Sequence, residues 1–432
     1  MHRTKSLIGA AALVVAGLTT AASAQTFQVI AQEGQPVGGI ANVQFVNNLK
    51  VNNSGSLFYE LDLDNATTED LVVLLDGNVL YQQGTTPLAG FTFDFIDDMH
   101  ITNGGDLVYN ASLDGTPGGS SDDTGVFFNM DRVIAEGSAP TAPGAPAGSF
   151  YSGFFGVKGN DSGNLLVRAS INDAGTTLSS LVTANSDGSN QQILAIEGGT
   201  LPGLGGAIIN DIETDSDEFD FNNAGDAIFG LDVGPNTTDD TVIYHSTLGV
   251  LAREGSASPL SGVNYSSLAS SEVAINNSGD VVFTADLDTG DTANDYAIIK
   301  NGDILLREGD AAPNVAGRFV QTLSSTPLAL DDAGNLLFVA DLDGDTVDDR
   351  VLYYNDSVLL REGVSMIDGL LVETIETLDD SLSISDNGQY VFVDVQLEGG
   401  LQTAVLITIP EPTSFGLLGA AAAGLLLRRR RA

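Results

Sequence analysis

At 432 residues, with 58 acidic against 16 basic side chains and a net charge of −42, the chain excludes nucleic acid and anionic membrane surfaces as partners, because its field repels polyanions. With no cysteine it has no disulfides, no thiol nucleophile and no thiolate metal site, so packing must hold it together. Fifty glycines, with abundant Asn and Asp, point to an all-β chain rich in turns.

Residues 1–24 read as a secretory signal peptide. His2, Arg3 and Lys5 precede an apolar run from Leu7 to Leu18, and Ala22-Ser23-Ala24 is a small-x-small cleavage pattern. The run is short of the roughly 20 residues that span a bilayer.

From residue 25 to 408 one unit recurs seven times. The clearest copy is "INNSGDVVFTADLD" from Ile275, and the shared glycines are Gly55, Gly105, Gly163, Gly225, Gly279, Gly334 and Gly388. Each Asn-Asn-Ser-Gly variant is a tight turn in which Gly takes the positive φ that a Cβ resists. Val281, Phe283, Ala285 and Leu287 then alternate with Val282, Thr284 and Asp286, as on a strand with one apolar face. The aromatic slot, Tyr59, Tyr109, Phe229, Phe283, Phe338 and Phe392, with Val167 in the third copy, falls in that apolar register and reads as core. In the seventh copy Asp394 and Gln396 break the pattern, so an irregular strand is expected there.

A second signature ends each unit, as in "VLAREG" to Gly255, "ILLREG" to Gly309 and "VLLREG" to Gly363. Asn301-Gly302 joins one such strand to its predecessor as a two-residue hairpin. Glu254, Glu308 and Glu362 recur too regularly to be catalytic, and are expected to tie down turns or to pair with the neighbouring arginine. The seventh unit has no Glu-Gly strand after it, and the missing strand stands at the other end as "FQVIAQEG", Phe27 to Gly34. A closed β-propeller makes this transposition when its first strand completes the last blade and removes the exposed edges. The sequence therefore predicts a seven-bladed propeller of about four strands per blade, the strand after each Glu-Gly turn being the fourth. A β-solenoid or an array of sandwiches is the alternative, though neither needs a strand moved end to end. The units resemble the Asn/Asp-x-x-Gly tandem repeats of exported bacterial surface proteins.

The tail, residues 409–432, runs Pro410-Glu411-Pro412, then an uncharged stretch from Thr413 to Leu427, then Arg428, Arg429, Arg430 and Arg431. This order of polar motif, short transmembrane helix and basic cluster resembles the PEP-CTERM sorting signal. The resemblance implies export, transient membrane contact through the tail alone, and processing by an exosortase-type enzyme. The arginines then act as a topological stop. Without leader and tail, ten basic residues remain against 57 acidic ones, a body charge near −47.

Candidate chemistry is thin. His100 and His245 are the histidines of the body, and no nucleophile elbow or His-Glu-x-x-His motif is present. Asp341, Asp343, Asp345 and Asp349 occupy positions 1, 3, 5 and 9 of a loop resembling calcium loops, but Gly344 stands at position 4 and Leu352 where the closing Glu belongs. Calcium is the cofactor this loop would take. Asp211, Glu213, Asp215 and Asp217 alternate along an extended segment. With Asp94, Asp97, Asp98, Glu373, Glu376, Asp379 and Asp380 they fall between a Glu-Gly turn and the next glycine turn, beside the central channel of a propeller. The body reads as a non-enzymatic, ligand-binding or adhesive surface or matrix protein with extracellular polysaccharide as partner. The alternative is a secreted glycan hydrolase using two channel carboxylates.

Overall fold

The computed structural model describes residues 25–410 except 214–217, 324–326 and 379. Contacts divide the chain into Thr26–Thr408 and a second unit made of the two ends, which lies almost wholly outside the described residues.

Each blade grows from its glycine turn. In the fifth, the Asn276 side-chain oxygen accepts the N–H groups of Ser278 (3.1 Å) and Asp280 (2.8 Å), while Gly279 sits at φ +83°. Val281–Leu287 leaves the turn and pairs antiparallel with Tyr296–Lys300, which pairs in turn with Asp303–Arg307. Asn301 (φ +52°) and Gly302 (φ +83°) join the last two as a hairpin with Lys300 opposite Asp303. On the other side of Val281–Leu287 lie two short segments, Tyr265–Ser267 and Val273–Ile275. All of Val281–Leu287 except Asp286 is buried, so both faces are covered where neighbouring blades stack.

The same arrangement recurs in seven sheets. The segments preceding the glycine turns touch one another in sequence around the ring, and that of the seventh blade touches that of the first. These are the inner strands. In blades 1 to 3 they are long and bulged, Ala41–Val51, Phe91–Ile101 and Phe150–Gly159. In blades 4 to 6 they are split, as Ile209–Ile212 and Phe219–Phe221. One expectation is corrected here: the strand that leads into a Glu-Gly turn is the outermost of its blade, and the strand after the turn is the innermost of the next. Thr26–Gln32 pairs with Leu401–Thr408, from Thr26 opposite Thr408 to Gln32 opposite Thr403, so the first strand completes the last blade. The protein is a seven-bladed β-propeller closed by its N-terminal strand.

The aromatic slot is core throughout, and Tyr59 meets Phe392 edge-on at 5.6 Å across the seam of blades 1 and 7. Two of the recurrent glutamates hold seams, while Glu254 accepts the N–H and the hydroxyl of Thr241 in its own blade (3.4 and 3.2 Å). Glu308 accepts the Leu323 N–H of the next blade (3.2 Å) and Glu362 the Ile375 N–H (3.0 Å). The neighbouring arginines pair elsewhere, Arg253 with Asp239 and Arg361 with Asp348. The seventh-blade strand is regular, contrary to expectation: Tyr390–Leu397 pairs with Leu401–Thr408 without a break, and the register shift falls on the side of its inner strand. Asp394 is buried there beside Gln402.

Candidate functional site

The inner strands of all seven blades line one cavity of about 180 Å³ on the propeller axis. Position five before each turn glycine contributes to its wall: Lys50, His100, Lys158 and Asp220 from blades 1 to 4, then Ala274, Ala329 and Ser383 from blades 5 to 7. Three of the seven are thus charged, one is an imidazole and three are small. The body has three lysines outside the leader, and two of them are here.

Each charged group is held by a neighbouring blade. Lys50 forms an ion pair with Asp380 of blade 7. Lys158 stands 3.9 Å from Asp98 of blade 2 and 5.5 Å above the Phe219 ring of blade 4. Asp98 also accepts the Val157 N–H (2.9 Å), and Asp220 accepts the Ile275 N–H of blade 5 (2.8 Å). Burial, then Lys158 and Lys50, push His100 down to about 3, so its imidazole is neutral at physiological pH.

Beyond this layer the turns close the ring. The Asn53 N–H donates to Asn103, Asn103 to Asp161, Asp161 to Asn223, Asn223 to Asn277 and Asn277 to Asp332, each to the side-chain oxygen of the next blade at 2.7–3.2 Å. The Asp332 N–H reaches the Asp386 carbonyl, and the Asn387 N–H returns to Asn53, completing the circle. Blade 7 breaks the pattern because Asn387 takes over the circle. The Asp386 carboxylate is released to accept Asn103 Nδ2 of blade 2 (2.8 Å) and Asn277 Nδ2 of blade 5 (3.1 Å), across the axis. Burial and the charges of Asp332 and Asp161 raise Asp386 to about 6. Burial opposes ionisation of Asp161 too, but the Asn103 and Asn223 amides hold it below the usual carboxylate range.

The acids before the inner strands divide. Asp97 and Asp98 of blade 2, Asp380 of blade 7 and the buried Glu60 of blade 1 share one neighbourhood, and burial followed by repulsion from Asp62, Asp380 and Asp97 raises Glu60 to about 8. Asp211 instead accepts the Ser179 hydroxyl (2.6 Å) and lies 3.8 Å from Arg168. Glu213 is half-buried, and its backbone oxygen accepts Arg168 Nε (3.0 Å). Asp215, Asp217 and Asp379 lie outside the described residues. Arg168, 1% exposed, also donates to the carbonyls of Ile212 and Ala169. Arg168→Ala should therefore destabilise the fold by about 3 kcal/mol in urea unfolding, since it strands buried carbonyls between blades 3 and 4.

In the aspartate loop, Asp341 accepts Arg350 Nε (2.9 Å), Asp343 accepts the Phe319 N–H (2.8 Å) with Arg318 at 3.5 Å, and Asp345 accepts the Val347 N–H (3.4 Å). Burial, and then Asp341, raise Asp349. Among the described residues no three His, Asp or Glu side chains are placed to hold a metal ion. His245 accepts the N–H groups of Thr247 and Leu248 and serves a turn. Of the sorting motif, Pro410 is described, while Glu411, Pro412 and Arg428–Arg431 lie outside the described residues. Lys50, Lys158, Asp220, Glu60 and Arg168 escaped the sequence reading. Their signal is positional: they stand five before or five after a turn glycine, where the first four repeats differ from one neighbour to the next.

Comparison with known proteins adds the following. Residues 408–431 match the PEP-CTERM protein-sorting motif, and residues 6–201 match a family of unknown function (DUF7453). No curated protein matches the chain. Similar solved structures include an oligogalacturonate lyase in complex with manganese, at 11% identity over 90% of this chain and 97% of that one, TM-score 0.44. Polysaccharide lyase Uly1 is 10% identical over 84% and 90%, TM-score 0.41. The β-propeller domain of the Trilobed protease from Pyrococcus furiosus is 8% identical over 84% and 98%, TM-score 0.42. At these levels the similarity carries no functional argument. The sorting motif marks the chain as an exported, cell-envelope-associated bacterial protein processed by an exosortase, and the body it carries is a seven-bladed β-propeller.

Proposed function

We propose that this propeller is a non-catalytic binding protein of the cell surface or extracellular matrix, delivered by a cleaved signal peptide and the sorting tail, and that extracellular polysaccharide is its ligand. The observation that carries this reading is the axial cavity, walled by all seven blades and lined by amides, lysines and carboxylates, with small residues at the matching strand position of blades 5 to 7. At about 180 Å³ it has room for roughly six waters, which suits one sugar unit and not a threaded chain. The charged groups around it are engaged in blade seams, so the wall is preorganised.

One observation favours the hydrolase alternative. Asp386 and Asp161 share the Asn103 amide at 2.8 Å each and have pKa values pushed apart, the pattern of an acid with a base. A single experiment separates the two. The protein is incubated with neutral and acidic polysaccharides, and both retention and release of reducing ends are followed. Binding without new reducing ends is the expected result. Reducing ends that disappear in Asp386→Asn would overturn it. Calcium at Asp341, Asp343, Asp345 and Asp349 requires Asp341 and Asp343 to leave their arginines. A melting temperature raised by calcium and not by magnesium is the sign of such binding.

A further inference from the structure

Three phenylalanines on neighbouring inner strands are exposed: Phe45 on blade 1 (49% exposed), Phe95 on blade 2 (42%) and Phe155 on blade 3 (44%). The three strands lie side by side. Each lies at a bulge: Phe45 and Phe95 at the first of their strands, between Val43 and Phe45 and between Phe93 and Ile96, and Phe155 at the second of its strand, between Phe154 and Gly156. A bulge inserts a residue and re-aims its side chain, and here it turns an aromatic ring away from the core three times over. Opposite the residue seven after the turn glycine, where blade 1 has Phe45, blade 3 has Gly153 and blades 4, 5 and 6 have Asp211, Ser267 and Thr322, so blade 3 exposes its ring two residues further along the strand.

The surroundings are acidic. Asp62 pairs opposite Phe45, Asp94 and Asp97 flank Phe95, and Asp211 lies beside the Arg168 guanidinium that sits 5.7 Å from the Phe155 ring centre. Asp94 and Asp97 each accept one amide hydrogen bond, from Gln83 (3.1 Å) and Asn110 (3.1 Å), which fixes them and leaves further acceptor capacity.

We infer that Phe45, Phe95 and Phe155 form a stacking platform for successive sugar rings of a neutral polysaccharide, whose hydroxyls donate to the flanking aspartates. The inference rests on the binding function proposed above and names its ligand class. A pyranose ring offers an apolar C–H face that loses water against an aromatic ring, and hydroxyls at its edge that require acceptors. The body charge near −47 repels acidic polymers. A cationic partner would suit aromatic rings and carboxylates too.

The test is electrophoresis of the exported protein through gels containing dextran, galactomannan or barley mixed-linkage glucan, with poly-lysine as a separate arm. Phe45→Ala, Phe95→Ala and Phe155→Ala are each expected to weaken retention by a neutral glycan about three- to tenfold. Phe95→Tyr should keep it, and Leu248→Ala, an exposed apolar control 68% exposed, should not change it. Unchanged melting curves exclude misfolding as the cause. If the glycan is retained equally by all variants, the platform is overturned while the binding function stands. If no neutral glycan retains the wild-type protein, the platform falls, and the binding function falls with it only when the acidic polysaccharides also fail to bind. Retention by poly-lysine alone, lost in the same variants, replaces the sugar with a cationic partner.

Discussion

Raising the pH from 5 to 9 is expected to destabilise the propeller by several kcal/mol, with Glu60 and Asp394 as the principal cause. Burial, then repulsion from Asp62, raises Glu60 from 4.5 to about 8. Burial, then Glu376, raises Asp394 from 3.8 to about 8 against the opposing Gln402 hydrogen bond. Both are therefore largely protonated in the fold at neutral pH and ionised in the unfolded chain. A raised pKa means that the folded state holds the extra proton, so the stabilisation is complete below the unfolded pKa. It is lost as the pH rises through about 8. Each group accounts for on the order of 4 kcal/mol across that window. Urea unfolding at a series of pH values should give a curve falling from mildly acidic to alkaline pH, and Glu60→Gln should flatten it by about half. A flat wild-type curve would mean that water or a cation reaches both carboxylates. Asp64, Asp280 and Asp348 act in the opposite sense, since hydrogen bonds from Asn42, Asn301 and Arg318 hold them below the usual range. Their contribution is lost at strongly acidic pH, which places the stability maximum near pH 5.

Deleting residues 25–32 should cost about 5 kcal/mol and make the protein aggregate. Thr26–Gln32 contributes six residue pairs to Leu401–Thr408, at about 1 kcal/mol for each hydrogen bond. Without it, Leu401–Thr408 becomes an unprotected edge carrying the buried Val405 and Ile407. Gln32 also donates to Thr403 (3.3 Å), and the Glu33 N–H reaches the Gln402 carbonyl (2.9 Å). The urea midpoint of the truncated chain and its light scattering measure the effect. A truncated protein as stable and monomeric as the full one would show that the inner ring closes the propeller without the outer strand.

The architecture was legible because it is made of repeated residues. Gly279 and its six counterparts mark turns that only glycine fills easily, and the transposed Glu-Gly strand betrays closure before any coordinate is known. The site was not legible, for the opposite reason. Lys50, His100, Lys158 and Asp220 share a strand position but mix ammonium, imidazole and carboxylate, so comparing repeats averages them away. The bulges at Phe45, Phe95 and Phe155 leave no mark in hydrophobic alternation, because a period of two is reset by the inserted residue. Asp386 stands two before its turn glycine, as Asp161 and Asp332 do. A shift of one residue in the seventh turn gives its place in the circle to Asn387 and sends its carboxylate to the axis. The acidic run from Asp211 drew attention by its density, yet its described members go to Ser179 and the buried Arg168.

Hydrogen exchange of the exported protein, with and without barley mixed-linkage glucan, tests most directly whether the ligand binds at the channel. The expected result is protection of the inner-strand segments 43–50, 93–100 and 153–161, with the outer strands Asn78–Gln82, Asp131–Ala135 and Gln192–Ile196 unchanged. Protection confined to those outer strands, or none in the inner segments while the glycan is demonstrably bound, would contradict the account.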